Sequence, residues 1–447
     1  MAQSTYGRGV AGSLRWCRCL IAGAAACWWT TAVLGAQTPG RSGDPARAAA
    51  GEWVFRMDGD ATPQRVVLVA DGDSLRGQVY GQGIAGALSG DRLAFRVGDY
   101  RWSARLRGDS LRGWLRIGAD SSAWSAGRYR RPAASRAFRF APTAYHRELA
   151  TAVAPALRLH AGDTVRTTTV DAGGWGTGPF GERANKLTRG GNPLTGPFYV
   201  EGAVPGDVLA VRLLRVRLNR GWAFSGTGIV DNAIEPAYAA ARRPSDVGNQ
   251  WVLDTVAGVA RLKDPSPALA AFRVPLRPFL GVVAVAPGDG VVPSTRDSGP
   301  FGGNMEYARL GEGATVYLPV TEEGAYLYLG DGHAAQGDGE LTGDALETSL
   351  EVAFTVDVQR GRSAGGPRAE TAEHVMSIGV AGSLDEALRR ATSDMARWLE
   401  VDHKLSATEA ALVMGFALAY DVPDVVPPWV SVVARLPKAS LATLRRP

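Results

Sequence analysis

Gly72-Asp73-Ser74-Leu75-Arg76-Gly77 is repeated residue for residue at Gly108-Asp109-Ser110-Leu111-Arg112-Gly113, with a shorter copy, Gly90-Asp91-Arg92-Leu93, midway, so that a Gly-Asp pair recurs every 18 residues. Gly-Asp is turn chemistry, because glycine reaches positive φ without steric cost and aspartate hydrogen-bonds its own backbone. The runs between the pairs, such as Arg65-Val66-Val67-Leu68-Val69 and Leu93-Ala94-Phe95-Arg96-Val97, are apolar or alternating over the length of a strand. Residues 51–130 are therefore predicted to form a small β-meander or barrel of successive hairpins. No titratable cluster sits in this stretch, which reads as a packing or spacer module.

Downstream, Arg130-Arg131-Pro132 opens a stretch of little periodicity, read as a linker over 131–150. From His160 to about Val358, short apolar runs (Val208-Leu209-Ala210-Val211, Gly281-Val282-Val283-Ala284-Val285, Ala314-Thr315-Val316-Tyr317-Leu318) alternate with Gly, Pro and Asp, the pattern of a sandwich or barrel. The end of the chain changes period. Ser383 with Glu386 is a capping-box pattern, after which Leu384, Ala387, Leu388, Ala391, Met395, Trp398 and Leu399 share one helical face. Ser406 with Glu409 caps a second predicted helix, running from Ala410 to Tyr420 and stopping before Pro423. The fold class is mainly β (α+β), with a main domain over 150–447.

Upstream, an Arg-bearing start, an apolar run from Leu20 to Leu34 and the small residues Gly35 and Ala36 read as a secretory signal peptide over residues 1–36. Export to the periplasm or the extracellular space is expected, without stable membrane insertion after processing. The three cysteines, Cys17, Cys19 and Cys27, all fall in this leader. A processed chain would therefore have no disulfide and no thiol nucleophile.

The formal net charge of +5 invites a nucleic-acid reading, but Arg8, Arg15 and Arg18 of the leader supply three of those charges. The other cations are almost all arginine and are spread along the sequence without a dense basic block, which argues against a nucleic-acid partner. Nucleotide chemistry and a serine-hydrolase elbow are disfavoured too: there is no phosphate loop ending in Gly-Lys-Ser/Thr, and no Gly-x-Gly-x-x-Gly or Gly-x-Ser-x-Gly stands between a predicted strand and a predicted helix.

Of the five histidines, His333 stands apart. It lies in Gly330-Asp331-Gly332-His333-Ala334-Ala335-Gln336-Gly337-Asp338-Gly339-Glu340, where four glycines disfavour regular structure and allow a bend that gathers Asp331, His333, Gln336, Asp338 and Glu340. A carboxylate and an imidazole spaced by one residue suit zinc or a similar ion, whereas an all-oxygen set without His333 would suit calcium. A glycine-rich surface turn with incidental charges is the competing reading.

With these residues in view, positions from about 155 to 440 resemble the acetamidase/formamidase family. The matching stretches come in order: Gly162-Asp163-Thr164-Val165 with Thr169-Val170-Asp171-Ala172; Asn192-Pro193-Leu194-Thr195-Gly196-Pro197-Phe198; Arg277-Pro278-Phe279-Leu280-Gly281; Gly302-Gly303-Asn304-Met305; the Asp331 to Glu340 loop; and Leu436-Pro437-Lys438. The resemblance implies a jelly-roll-like β-sandwich core, a homo-oligomer, and metal-assisted hydrolysis of the C–N bond of small linear amides to a carboxylate and ammonia. Asp171, Asn304, Asp331, His333, Gln336 and Glu340 are the matching polar positions. In our assignment Asp331 and His333 hold a divalent ion, zinc ahead of calcium, with Asp171 as third ligand; Glu340 moves the proton, and Asn304 and Gln336 orient the amide. Two positions depart from the family pattern: Glu306, where aspartate is common, and Phe301, where asparagine or histidine is frequent. A secreted β-sandwich binding protein and a decayed amidase are the rival readings.

Overall fold

The computed structural model describes residues 45–444, apart from 60–61, 73, 80–81, 243–248 and 363. The leader read at residues 1–36, with all three cysteines, lies outside the described residues.

Eight strands, from Gly51–Met57 to Asp120–Arg128, each pair antiparallel with the next, and the last returns to the first, so that the sheet closes into a barrel. Alternation builds it: along Arg92–Val97 exposed and buried residues take turns, sending Leu93, Phe95 and Val97 inward. The interior is filled by rings. Phe95 stacks on Trp102 with centroids 5.4 Å apart, and Phe55 meets Trp102 at 5.3 Å and Trp124 at 5.1 Å. Gly90 and Gly108 hold the recurrent turns at φ +60° and +58°, where most side chains would be strained. A short helix, Pro45–Ala49, packs Ala46 and Ala49 against this core.

The barrel and the remainder belong to one compact unit. Arg65 of the barrel reaches Asp207 Oδ2 at 2.5 Å, and the ion pairs Arg360–Glu52 and Arg56–Glu323 add to the seam. The stretch read as a linker contributes a strand, Ala137–Arg139, parallel to Thr164–Thr168. It is held there because Asp163 accepts from both the backbone N–H and the guanidinium of Arg136, at 2.7 and 2.6 Å.

The main domain is a sandwich of two sheets. One has six strands in the order Leu157–Leu159, Leu194–Val200, Leu327–His333, Phe279–Val285, Gly302–Asn304 and Ser298–Gly299. The other has nine and includes Val208–Leu218, Thr315–Pro319, Leu350–Gln359, His374–Ala381 and Val430–Pro437. Phe198, Leu280, Val283 and Leu329 from the first sheet share one buried cluster with Leu209, Val211, Val352 and Phe354 from the second, which places the core between the layers. A small four-stranded sheet runs from Trp222–Ser225 to Val274–Pro275.

Both C-terminal helices form. The first spans Leu384–Asp402, with Ser383 accepting from the Glu386 N–H; Ala387, Ala391, Met395 and Leu399 are buried, but Leu384 and Leu388 face solvent. The second carries a full capping box between Ser406 and Glu409 and ends at Ala417, three residues short of the expected Tyr420. There the chain switches to a strand, Ala419–Asp424, because pairing with Val430–Pro437 satisfies its backbone better than another helical turn before Pro423. Among the described residues, no helix is long and apolar enough to cross a membrane.

Candidate active site

Two neighbouring strands of the six-stranded sheet, Phe279–Val285 and Leu327–His333, run antiparallel and set Gly281 beside the Asp331–His333 corner. The third strand, Gly302–Asn304, delivers Met305 and Glu306, whose backbone N–H groups both donate to the Gly281 carbonyl at 3.0 and 3.3 Å. Glu306, Asp331, Glu340 and Asn192 all hold positive φ, between +48° and +55°, although none is glycine. Such strain costs of order 1–3 kcal/mol at each residue and gathers where function fixes a side chain's direction.

The fully buried imidazole of His333 is the centre. Its Nδ1 lies 3.2 Å from Glu306 Oε2; its Nε2 lies 3.1 Å from Glu347 Oε1 and 3.5 Å from Asp331 Oδ1. The ring packs edge-on to Phe279, with centroids 4.9 Å apart. Asn192 Nδ2 donates to Asp331 Oδ2 and to Asn304 Oδ1, both at 2.9 Å, and so joins two of the expected site residues. Despite these close approaches, neither ring nitrogen of His333 has an aligned hydrogen-bond partner among the described residues, nor do Glu306 Oε2, Asp331 Oδ1 and Glu347 Oε2. Orphaned buried polar atoms are rare and call for an explanation.

The electrostatics agree. Burial pushes Glu306 and Glu340 well above the usual carboxylate range; repulsion from Glu340 adds to the shift at Glu306, while His333 opposes it at Glu340. Burial likewise raises Glu347 and Asp424 to about 7 and Asp344 to about 6. At His333 burial disfavours the charged form, but the carboxylates of Glu347, Glu306 and Asp331 outweigh it and raise the imidazole well above its ordinary value. Several buried acids thus share one imidazole, an arrangement that a cation would relieve.

Two sets of side chains bring ligand atoms within 4.8 Å of one another: Glu306, Asp331 and His333, and His333, Glu340 and Glu347. The structure therefore brings together Asp331, His333 and Glu340 from the expected loop. Asp171 belongs to neither set. Its Oδ2 accepts from Arg220 Nη2 at 2.6 Å and its Oδ1 from the Trp175 N–H at 2.9 Å, so both oxygens are engaged. The residue that brings a ligand atom within 4.8 Å of those of Asp331 and His333 is Glu306, which stands out in the sequence only as a departure. Gln336 stands next to the cluster, its Nε2 donating to the carbonyls of Glu306 and Pro423 at 2.9 and 3.1 Å. Phe301, the other departure, packs against the sandwich core. Asp338 is exposed and lines, with Gln336 and Tyr307, a cleft of about 1000 Å³ that none of the clustered carboxylates lines.

Sequence reasoning misses Glu347, Asn192 and Asp424. Asn192 lies in the quoted Asn-Pro-Leu-Thr-Gly-Pro stretch, where its polarity is the available signal; Glu347, just beyond the Asp331 to Glu340 loop, and Asp424, from a distant segment, have no motif of their own.

Comparison with known proteins supports the same region. A model of the Acetamidase/Formamidase family matches residues 291–372, which hold Asn304, Glu306, Asp331, His333, Gln336, Glu340 and Glu347. A formamidase from Methylophilus methylotrophus is 28% identical over 213 residues, 38% of this chain and 51% of that protein. An acetamidase from Mycolicibacterium smegmatis is 29% identical over 219 residues, 38% of this chain and 53% of that protein. The chain thus spans about half the length of the curated relatives it matches. The crystal structure of an acetamidase from Bacillus halodurans superposes with a TM-score of 0.58 at 28% identity, covering 69% of this chain and 99% of that one.

Proposed function

We propose that this chain, which is similar to the acetamidase/formamidase family, hydrolyses the C–N bond of small linear amides, formamide- or acetamide-like, with a divalent cation held at His333. The observation that carries this reading is the convergence of Glu306, Asp331 and Glu347 on His333 while five polar atoms of these four residues have no hydrogen-bond partner among the described residues. One imidazole with two or more carboxylates is a donor set that suits zinc ahead of calcium. His333, Asp331 and Glu306 are the residues that would hold the ion, with Glu347 facing Nε2 beside Asp331. A divalent ion there supplies Lewis acidity, polarising an amide carbonyl and making water easier to deprotonate.

The chain's own residues do the rest. Glu340, raised by burial, is a stronger base than an exposed carboxylate; it takes a proton from the attacking water and returns it to the departing nitrogen. Gln336 has its Nε2 tied to two carbonyls, which leaves Oε1 to accept from the substrate NH2. Asn304, its Oδ1 held by Asn192, keeps Nδ2 to donate to the amide oxygen. Asn192 fixes Asp331 so that its other oxygen points to His333.

The test is ammonia release from formamide, acetamide and longer amides by the purified chain, with bound metal measured and a chelator control run alongside. Release that a chelator abolishes and added metal restores is the expected result. Folded protein that binds metal and turns over none of these amides would overturn the reading.

A further inference from the structure

The arginines that look evenly spread in the sequence are gathered by the fold onto one outer face of the barrel. Along Arg92–Val97, Tyr100–Arg107 and Ser110–Ile117 the inward residues are apolar, so the alternate positions point out. Cross-strand register then aligns them. Arg96 pairs with Arg101 and Arg101 with Arg116, forming one row; Arg92 pairs with Arg105 and Arg105 with Arg112, forming another. Between the rows lie Ala94, Ser103 and Trp114, also paired in line, with Trp114 50% exposed. All six arginines are exposed. At about 3.4 Å per residue the two rows run about 14 Å apart, with cations about 5 Å from strand to strand.

Like charges placed directly opposite each other destabilise a sheet. Here the protein does little to answer them: among the described residues, the only ion pair these six make is Arg105 with Asp91, at 3.5 Å and about half exposed on both sides. The strands on either side carry only small residues in the same lines: Ala85, Ala87 and Ser89 on one flank, Ser121, Ala123 and Ser125 on the other. Among the described residues nothing large therefore stands over the rows, and a concavity of about 550 Å³ opens among Arg96, Arg101, Arg116, Ser103 and the alanines 85 and 94.

We propose that this face binds an acidic polysaccharide, the chain lying along the neutral strip with one sugar ring on Trp114 and its anionic groups answered by the arginine rows. A guanidinium pairs bidentately with a carboxylate or sulfate, and an exposed indole offers a flat apolar face to a sugar ring. The competing occupants fit less well. Single-stranded nucleic acid is held by successive aromatic platforms, of which this face has one; duplex DNA is read by an element entering a groove, and a barrel wall has none to insert. A lipid surface would need an apolar rim larger than Trp114 and Ile117 provide.

The experiment is affinity electrophoresis of the whole chain in gels containing polygalacturonate, with neutral dextran as control, at low and raised salt. Retardation by polygalacturonate alone, weakened by salt, is expected. The triple variant Arg96→Gln/Arg101→Gln/Arg116→Gln loses about tenfold or more in affinity and Trp114→Ala a few-fold, about 1.4 kcal/mol for each tenfold. Melting curves matching the wild type show that the variants fold. Equal retardation of the variants, no retardation of the wild type, or a preference for duplex DNA or for phosphatidylglycerol vesicles over polygalacturonate would overturn the proposal.

Discussion

Asp171 and Arg220 form an ion pair of 2.6 Å in which neither side chain is more than 1% exposed. Arg220 also donates to the carbonyls of Trp222, Gly176 and Glu347 and to Thr348 Oγ1, and its guanidinium lies 3.3 Å over the Trp222 ring. Asp171 thus neutralises the cation that ties the Glu347 backbone to the segments carrying Gly176 and Trp222. Replacing Asp171 by alanine strands a buried charge, and a loss of about 3–5 kcal/mol in unfolding free energy is expected. Denaturant titration measures it, while the folded fraction keeps its full metal content. A variant of ordinary stability that has lost its metal would make Asp171 a ligand instead.

Gly281 gives Glu306 its room. A Cβ at position 281 would fall 2.8 and 2.9 Å from the two carboxylate oxygens of Glu306 and 2.7 Å from His333 Cε1. Gly281→Ala is expected to push Glu306 off His333, lowering bound metal about 10–100-fold in affinity with the far-ultraviolet circular dichroism unchanged. Calorimetric zinc titration of the two proteins decides it, and equal affinities would remove Glu306 from the set.

Glu340→Gln keeps the shape of the side chain and removes the base. Ammonia release should fall about 10²–10⁴-fold in kcat with KM within a few-fold and metal content unchanged. A matching rise in KM with kcat intact would mean that Glu340 binds substrate rather than moving its proton.

Asp424, pushed up to about 7 by burial, makes a pH prediction. In the unfolded chain this group ionises near 4, in the folded protein near 7, so its neutral form favours folding at low pH and that favour is lost as pH rises through this window. Asp424→Asn keeps an oxygen for the Val426 N–H, which now bonds Asp424 Oδ1 at 2.6 Å. Measured on chelator-treated protein, the variant's unfolding free energy should gain on the wild type as pH rises from about 4 to about 8, by about 1.4 kcal/mol for each pH unit that separates the two ionisation midpoints. A constant difference across that range would show that Asp424 is ionised in the fold.

The sequence shows a feature where the cause is local and misses it where the cause is a partner far along the chain. The Gly-Asp turns and the alternation of Leu93, Phe95 and Val97 are properties of short segments, and the hairpins follow from them. The capping residues Ser383 and Ser406 are equally local. The loop that carries Asp331, His333 and Glu340 shows itself through its own glycines. Asp171, by contrast, reads as an acid near a motif, and only the fold reveals Arg220, 49 positions away, against it. Glu347 reaches His333 through a bridge between their backbones that no spacing rule contains. The arginine rows depend on register: period-two alternation scatters the cations along each strand, and sheet pairing reassembles them across three.

The barrel's closure has a consequence for inheritance. Its first strand lies beside its last, with Trp53 opposite Arg128, so the polypeptide leaves the cylinder within about one strand spacing, about 4.8 Å, of where it came in. A unit whose two ends meet can be inserted into a chain or removed from it with the path on either side hardly rerouted. A closed cylinder also offers no free edge for a half-made neighbour to pair with. Its outward residues can then change while the ring-filled interior, and the sandwich beside it, stay as they are.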